Sequence, residues 1–271
     1  MIAPFLHNAF LAHALLAGLI VAAACGIVGT FMVLRGLAFI GDALAHGVLP
    51  GIAAALLLGW PGIVGAAAGS ALMVGGIGYL ARRSRLSNDT AIGLFFVGML
   101  ALGVIMVSRS SSFSGDLVRV LFGELLGITT QGILLQAGAT LLLLALTVVF
   151  RRPFLLLCFD PEQATASGYP SRVFHAVMLG MIALTIVVSF QTVGTLLVFG
   201  LLLAPAAASA LVTRRLLPMM AVAAVIGAAC VYLGLLASYW LNLAAGASIT
   251  LIATVVFFAA FAVSRLARRK A

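Results

Sequence analysis

Nine apolar runs of about 20 residues follow one another along the chain, and this pattern restricts the folds open to it. They cover roughly residues 9–34, 38–58, 61–81, 90–108, 127–150, 173–190, 193–212, 217–240 and 246–264. A run of that length crosses the hydrocarbon core of a bilayer as a helix. With no water there to satisfy backbone polar groups, a helix is the form such a run takes. Only 8% of the residues are charged, against roughly a quarter in soluble domains. No polar stretch is long enough for a separate soluble unit. The expected fold is all-α: a polytopic membrane helix bundle of about eight or nine transmembrane helices, with residues 1–271 as a single transmembrane domain. The first run reads as a mature helix, because no Lys or Arg precedes Arg35 and the run is too long for the apolar part of a secretory signal.

The lower count arises at Gln191-Thr192-Val193-Gly194, which separates the sixth and seventh runs so tightly that the pair also reads as one broken or re-entrant element. The basic residues favour nine. Arg35, Arg82, Arg83, Arg85, Arg151, Arg152, Arg172, Arg214, Arg215, Arg265, Arg268, Arg269 and Lys270 fall on one side of a nine-span chain. That is thirteen of fifteen, with only Arg109 and Arg119 outside. Such a bias marks the cytoplasmic side and puts the C-terminus there. The same clustering beside anionic lipid accounts for the net charge of +9 without nucleic acid. Gly65-Ala66-Ala67-Ala68-Gly69 is a small-xxx-small match that suits close helix packing or dimerisation. Cys25, Cys158 and Cys230 lie far apart, with no CxxC pair, and read as small core residues.

Lys270 is the single lysine, so no phosphate-binding Gly-rich loop ending in Lys and Ser or Thr exists here. Any ATP that drives this protein binds to another chain. No Gly-x-Ser-x-Gly elbow, His-Glu-x-x-His pair or dinucleotide fingerprint is present either. The chain is expected to carry no enzymatic chemistry and no bound cofactor of its own.

Of the six acidic residues, Asp89, Asp116, Glu124, Asp160 and Glu162 fall in loops or at span edges. Asp42 lies inside a span, in Gly41-Asp42-Ala43-Leu44-Ala45-His46-Gly47. Positions i and i+4 share a helix face, so Asp42 and His46 point the same way about one turn apart. Ionisable groups at membrane depth are costly and commonly line a pathway or pair with each other. A carboxylate and an imidazole suit a divalent transition metal such as zinc or manganese. The bland alternative makes Asp42 the cap of a helix starting there and His46 a core histidine, although Ala45 stands where a capping box wants Glu or Gln. His13, alone in the first span, reads as structural before it reads as a pathway residue, and His7 and His175 as interfacial residues, with a surface metal contact also open to His7.

Between the fifth and sixth runs, Phe159 to Pro170 reads as a short helix. Asp160 is a good N-cap, Pro161 fits the first helical position, Gly168 can end the helix in the left-handed region, and Pro170 prevents continuation. A capped helix flanked by arginines is either a docking element for a soluble partner or a plain connection.

Several stretches together resemble the integral membrane permeases of ATP-binding-cassette importers for zinc, manganese or iron. They are Met32-Val33-Leu34-Arg35 running into Ile40-Gly41-Asp42-Ala43-Leu44-Ala45-His46-Gly47-Val48-Leu49-Pro50-Gly51; Asp89-Thr90-Ala91-Ile92-Gly93; Leu121-Phe122-Gly123-Glu124-Leu125-Leu126-Gly127; Phe159-Asp160-Pro161-Glu162; and Val193-Gly194-Thr195-Leu196-Leu197 through Ala204-Pro205-Ala206-Ala207. The match covers nearly the whole chain, and Gly-Asp-Ala-Leu-x-His-x-Val-Leu-Pro-Gly is its most specific part. The resemblance implies a homodimer in a bacterial inner membrane, two copies of a cytoplasmic ATP-binding subunit and an extracytoplasmic metal-binding protein. It implies that Asp42 and His46 line the metal path. It also implies that the 159–170 segment couples to the ATPase through Asp160, Pro161, Glu162, Ala164 and Gly168. The family often has Ser before the His, Asn in the Phe-Gly-x stretch and a Pro near the C-terminus. Here Ala45, Glu124 and Leu243-Ala244-Ala245-Gly246 stand instead, which leaves the metal open. Zinc is favoured over manganese on the His and Asp alone. The alternative from the residues is a proton-coupled secondary metal transporter without an ATPase.

Overall fold

The structure, a computed structural model, describes residues 9–83, 87–108 and 128–270. Among them there is no strand. The helices are α1 (Ala9–Leu34), α2 (Ala38–Leu57), α3 (Gly62–Arg83), α4 (Asn88–Ser108), α5 (Thr130–Val149), α6 (Arg151–Phe159), α7 (Pro161–Ala166), α8 (Ser171–Val212), α9 (Leu216–Leu241) and α10 (Ala245–Lys270). The apolar runs of the sequence become these helices with edges displaced by only a few residues.

Side-chain neighbours give the direction of each pass. A Cβ added at Gly26 would lie 2.7 Å from the Ala224 nitrogen, and one at Gly227 would lie 3.2 Å from Ala22 Cβ, so α1 and α9 run antiparallel. Gly51 backs onto Gly65 and Gly47 onto Met73, which makes α2 and α3 antiparallel. α4 returns parallel to α2, with the Phe39 and Phe96 ring centroids 6.3 Å apart at one level and Gly103 beside Pro50 at the next.

These neighbours also decide how α8 is built. Forty-two residues of straight helix would be about 63 Å long, twice the hydrocarbon core. The phenyl rings of Phe150 and Phe174 lie 5.5 Å apart, while Gln136 Nε2 donates to Ser189 Oγ at 3.1 Å. The first half of α8 therefore runs antiparallel to α5. In the second half, Cys25 Sγ donates to the Val198 carbonyl at 3.9 Å, and Gly29 packs on Leu202 and Ala206. That half runs parallel to α1. The chain thus reverses at Gly194, whose φ of 75° and ψ of 162° lie outside the helical region. Two spans result, Ser171–Phe190 and Val193–Val212, and nine candidate spans are found among the described residues. The fold is an all-α polytopic bundle, and the tight break in the sequence is a helical hairpin.

Nine alternating passes bring Arg35, Arg83, Arg151, Arg152, Arg172, Arg214, Arg215 and Arg265 to one end of the bundle. Trp60 and Trp240, 58% and 72% exposed, lie at the other, as tryptophans do at a membrane interface. Helix packing relies on small residues, since lipid tails supply no hydrophobic drive between spans. Gly65 and Gly69 of the small-xxx-small match are spent inside the subunit, against Gly51 and Gly47 of α2. That motif therefore packs α3 on α2 and is not a free dimer face.

Candidate functional site

α2 begins at Ala38, with Leu37 as N-cap and the Ile40 and Gly41 N–H groups both donating to the Leu37 carbonyl. Asp42 is therefore the fifth residue of the helix and caps nothing, which removes the bland reading of this carboxylate. Asp42 and His46 stand about 6 and 12 Å along the axis from Ala38, in the half of the span nearer the arginine-rich end.

The two side chains do face the same way. His46 Nε2 lies 3.7 Å from Asp42 Oδ1, too long for a hydrogen bond, and the side chains are 30% and 33% exposed. Their neighbours explain this partial access. Gly41, Ala43, Leu44, Ala45, Gly47 and Val48 are all buried. Phe39, Asp42, His46 and Leu49 remain at least partly open, at the three- and four-residue spacing of a single stripe. Both ionisable groups of α2 sit on that stripe. The His46 ring meets Phe96 of α4 edge-on, with centroids 5.6 Å apart, and this packing holds Nε2 toward Asp42.

An ion about 2.1 Å from both atoms would subtend roughly 120° at the observed separation, within the range of zinc or manganese geometry. The pair is incomplete as a site on its own. No group of three or more His, Cys, Asp or Glu side chains able to hold a metal occurs among the described residues. Sequence reasoning did not single out Pro50. Lacking an N–H, it cannot donate to the carbonyl four residues back, that of His46, so this carbonyl, which points along the axis toward Pro50, loses its helical partner. The signal was present as the His-x-x-x-Pro spacing. His46 Nδ1 is buried and also without a partner among the described residues.

The second candidate region is the α6–α7 corner. Asp160 caps α7, with Oδ1 accepting from the Glu162 N–H at 2.9 Å and the Gln163 N–H at 3.0 Å. Pro161 opens the helix and Gly168 closes the turn at φ 85°. Ala164 is buried beneath α7, and Glu162 is exposed. The capping read from the sequence is therefore the capping observed. Thr165 Oγ1 donates to the Pro161 carbonyl at 3.0 Å and lies 3.1 Å from Ser171 Oγ, tying α7 to the start of α8.

Two residues read only as an orientation charge and an interfacial histidine turn out to be joined. Arg35 donates through Nη1 to the Leu157 carbonyl of α6 at 2.7 Å, and its Nη2 lies 3.4 Å from His175 Nδ1. Phe31 and Phe154 meet edge-on at 5.3 Å beside them. The residue that links α1 to the Asp42 helix is thus bonded to the helix that leads into α7. Only contacts across 122 and 140 positions of sequence reveal this. Burial pushes the Cys158 thiol up to about 11, and the nearby Arg35 guanidinium pulls the other way. His13 is exposed on the outer surface of α1, apart from Asp42 and His46. His7, Asp116 and Glu124 lie outside the described residues, as do Arg109 and Arg119.

Comparison with known proteins bears on the whole chain. The model of the ABC 3 transport family matches residues 7–264. The chain is 38% identical over 252 residues to the manganese transport system membrane protein MntC of Listeria innocua, covering 93% of this chain and 90% of that one. It is 36% identical over 257 residues to a probable iron transport system membrane protein of Haemophilus influenzae, covering 95% and 94%. Among solved structures, PsaBC from Streptococcus pneumoniae in complex with Fab superposes with a TM-score of 0.87 at 35% identity, covering 96% of this chain and 95% of that one.

Proposed function

This chain belongs to the ABC 3 transport family as the membrane permease of an ATP-binding-cassette metal importer, and from that premise we propose that two copies of it pass manganese between them. The observation that carries this reading is the single half-open stripe on α2, which holds both Asp42 and His46 and nothing else that ionises. One chain supplies one carboxylate and one imidazole. Two chains meeting along this stripe supply two of each, enough donors for a four-coordinate ion. Conduction needs binding strong enough to admit the ion and weak enough to release it. A shared site whose halves belong to separate subunits meets that need, because a small rocking of the dimer separates the donors.

Manganese takes precedence over the zinc that the Asp and His alone favour, because relatives at 36–38% identity carry manganese in their names. Iron, named in another relative, and zinc are the alternatives. ATP hydrolysis resides in a separate chain, so membership of the family sets aside the ATPase-free, proton-coupled alternative. We assign α7 as the element that docks that ATPase. The arginine-rich end then faces the cytoplasm of a bacterial inner membrane, with the C-terminus there, and an extracytoplasmic metal-binding protein delivers the ion at the opposite end.

The test is manganese uptake by cells carrying Asp42→Ala or His46→Ala permease, with co-purification of the ATPase as the control for assembly. Uptake is expected to fall at least about tenfold in each, since each change removes two donors from a four-donor site. Wild-type rates in both variants would remove this pair from the path. Comparing manganese, iron and zinc as stimulants of ATPase activity in the reconstituted complex assigns the metal.

A further inference from the structure

A groove of about 640 Å³ opens on the outside of the bundle toward the arginine-rich end, on elements other than those that hold Asp42, His46 and α7. Three helices wall it: α1 with Ala23 and Ile27, α5 with Leu144 and Val148, and α9 with Met220 and Ala224. From Leu217 to Ala224 the wall runs about 10 Å along the helix axis. Arg151 and Arg152, the first residues of α6, also line the groove, and no acidic side chain does. Both arginines are exposed. Thr147 lines it too, and its buried hydroxyl has no hydrogen-bond partner among the described residues.

We propose that this groove holds one anionic phospholipid, with an acyl chain laid between α1, α5 and α9 and the phosphate held by Arg151 and Arg152. Apolar walls alone select no lipid, because tails gain nothing by leaving other tails. Selection comes from the headgroup. Two adjacent guanidinium forks match phosphate oxygens, and basic pockets between spans on the cytoplasmic side suit anionic headgroups. The lipid would rest against the helix that leads into α7 through Asp160 alone.

The experiment uses the full-length permease in vesicles, with Leu217→Trp as a reporter at the groove and the native Trp60 and Trp240 replaced by Phe. Those two lie at the opposite end and are exposed, so their loss leaves the groove intact. Brominated acyl chains quench tryptophan on contact. Phosphatidylglycerol and phosphatidylcholine are each supplied brominated at the same low mole fraction in otherwise identical membranes. Brominated phosphatidylglycerol is expected to occupy the groove on the order of tenfold more readily than brominated phosphatidylcholine. The preference is expected to vanish in Arg151→Gln/Arg152→Gln. Equal quenching by both lipids in the parent protein would overturn the proposal. So would a preference that survives the double substitution, or an absence of quenching by either lipid, which would mean that protein covers the groove.

Discussion

Gly194→Ala tests the least familiar feature of the fold, the reversal of α8 within a run of residues that otherwise reads as continuous helix. At φ 75° and ψ 162°, Gly194 occupies a region open essentially to glycine alone. A Cβ there costs about 1–3 kcal/mol in the hairpin. The same substitution favours straightening, because Ala is preferred over Gly within a helix by about 1 kcal/mol. The two effects share a sign, so the hairpin loses about 2–4 kcal/mol relative to a straightened chain. Against the unfolded state only the strain counts, and for a chain of this size about 1–3 kcal/mol is a fall in melting temperature of roughly 2–12 °C. The assay is thermal unfolding of detergent-purified protein, followed by the monodisperse fraction in size exclusion. Two companions separate backbone strain from general damage. Gly180→Ala, on the same helix with nothing within 4 Å of its added Cβ, is expected to melt no lower than wild type. Gly194→Asn is expected to fail as Gly194→Ala does, because Asn tolerates the left-handed helical region and not this one. A Gly194→Ala protein with wild-type melting and normal assembly with its ATPase would refute the reasoning.

Two further predictions follow from the α6–α7 corner. Asp160→Ala removes the acceptor of two backbone N–H groups at the start of α7 and is expected to cost about 1 kcal/mol of helix order. If α7 docks the ATPase, titration of the ATPase subunit onto the permease should then show about fivefold weaker binding, with Asp160→Asn close to wild type. Cys158, its thiol pushed up to about 11, should react with maleimide at pH 8 roughly two hundredfold more slowly than an ordinary cysteine, because only the thiolate attacks. Its rate should climb tenfold per pH unit up to that value. Arg35→Gln, by removing a charge that lowers the thiol, should slow the reaction further in a protein lacking Cys25 and Cys230.

The features legible in the sequence are those that need only a local rule. The spans follow from apolar length. The α7 cap follows from Asp160-Pro161 and Gly168, since a cap and its helix lie within a few residues of each other. Asp42 and His46 were found by their four-residue spacing, and the structure has them facing the same way. What remained ambiguous lay where one local rule admits two answers. Gln191 to Gly194 fits both a re-entrant break and a hairpin, and only the neighbours of Ser189 and Val198 distinguish them. Gly65 and Gly69 fit both a dimer face and an internal contact, and the answer depends on Gly47 and Gly51 of another helix. Arg35 matched the bias of positive charge so well that nothing in the sequence suggested its bond to Leu157.

The sequence by itself determined that this chain crosses a membrane as helices, where those helices lie, and that one of them carries an acid and an imidazole a turn apart. Hydrophobic length and helical periodicity are properties of consecutive residues, and the bilayer reads them without reference to the rest of the chain. Tertiary structure alone decided that the neighbours of Asp42 and His46 are buried while the pair stays half open. It also decided that Phe96 holds His46 in place and that α1 is tied to α6 through Arg35. Those outcomes depend on which helices lie side by side. With apolar surface facing lipid as comfortably as it faces protein, small residues and a few polar bonds make that choice, and hydropathy does not record it.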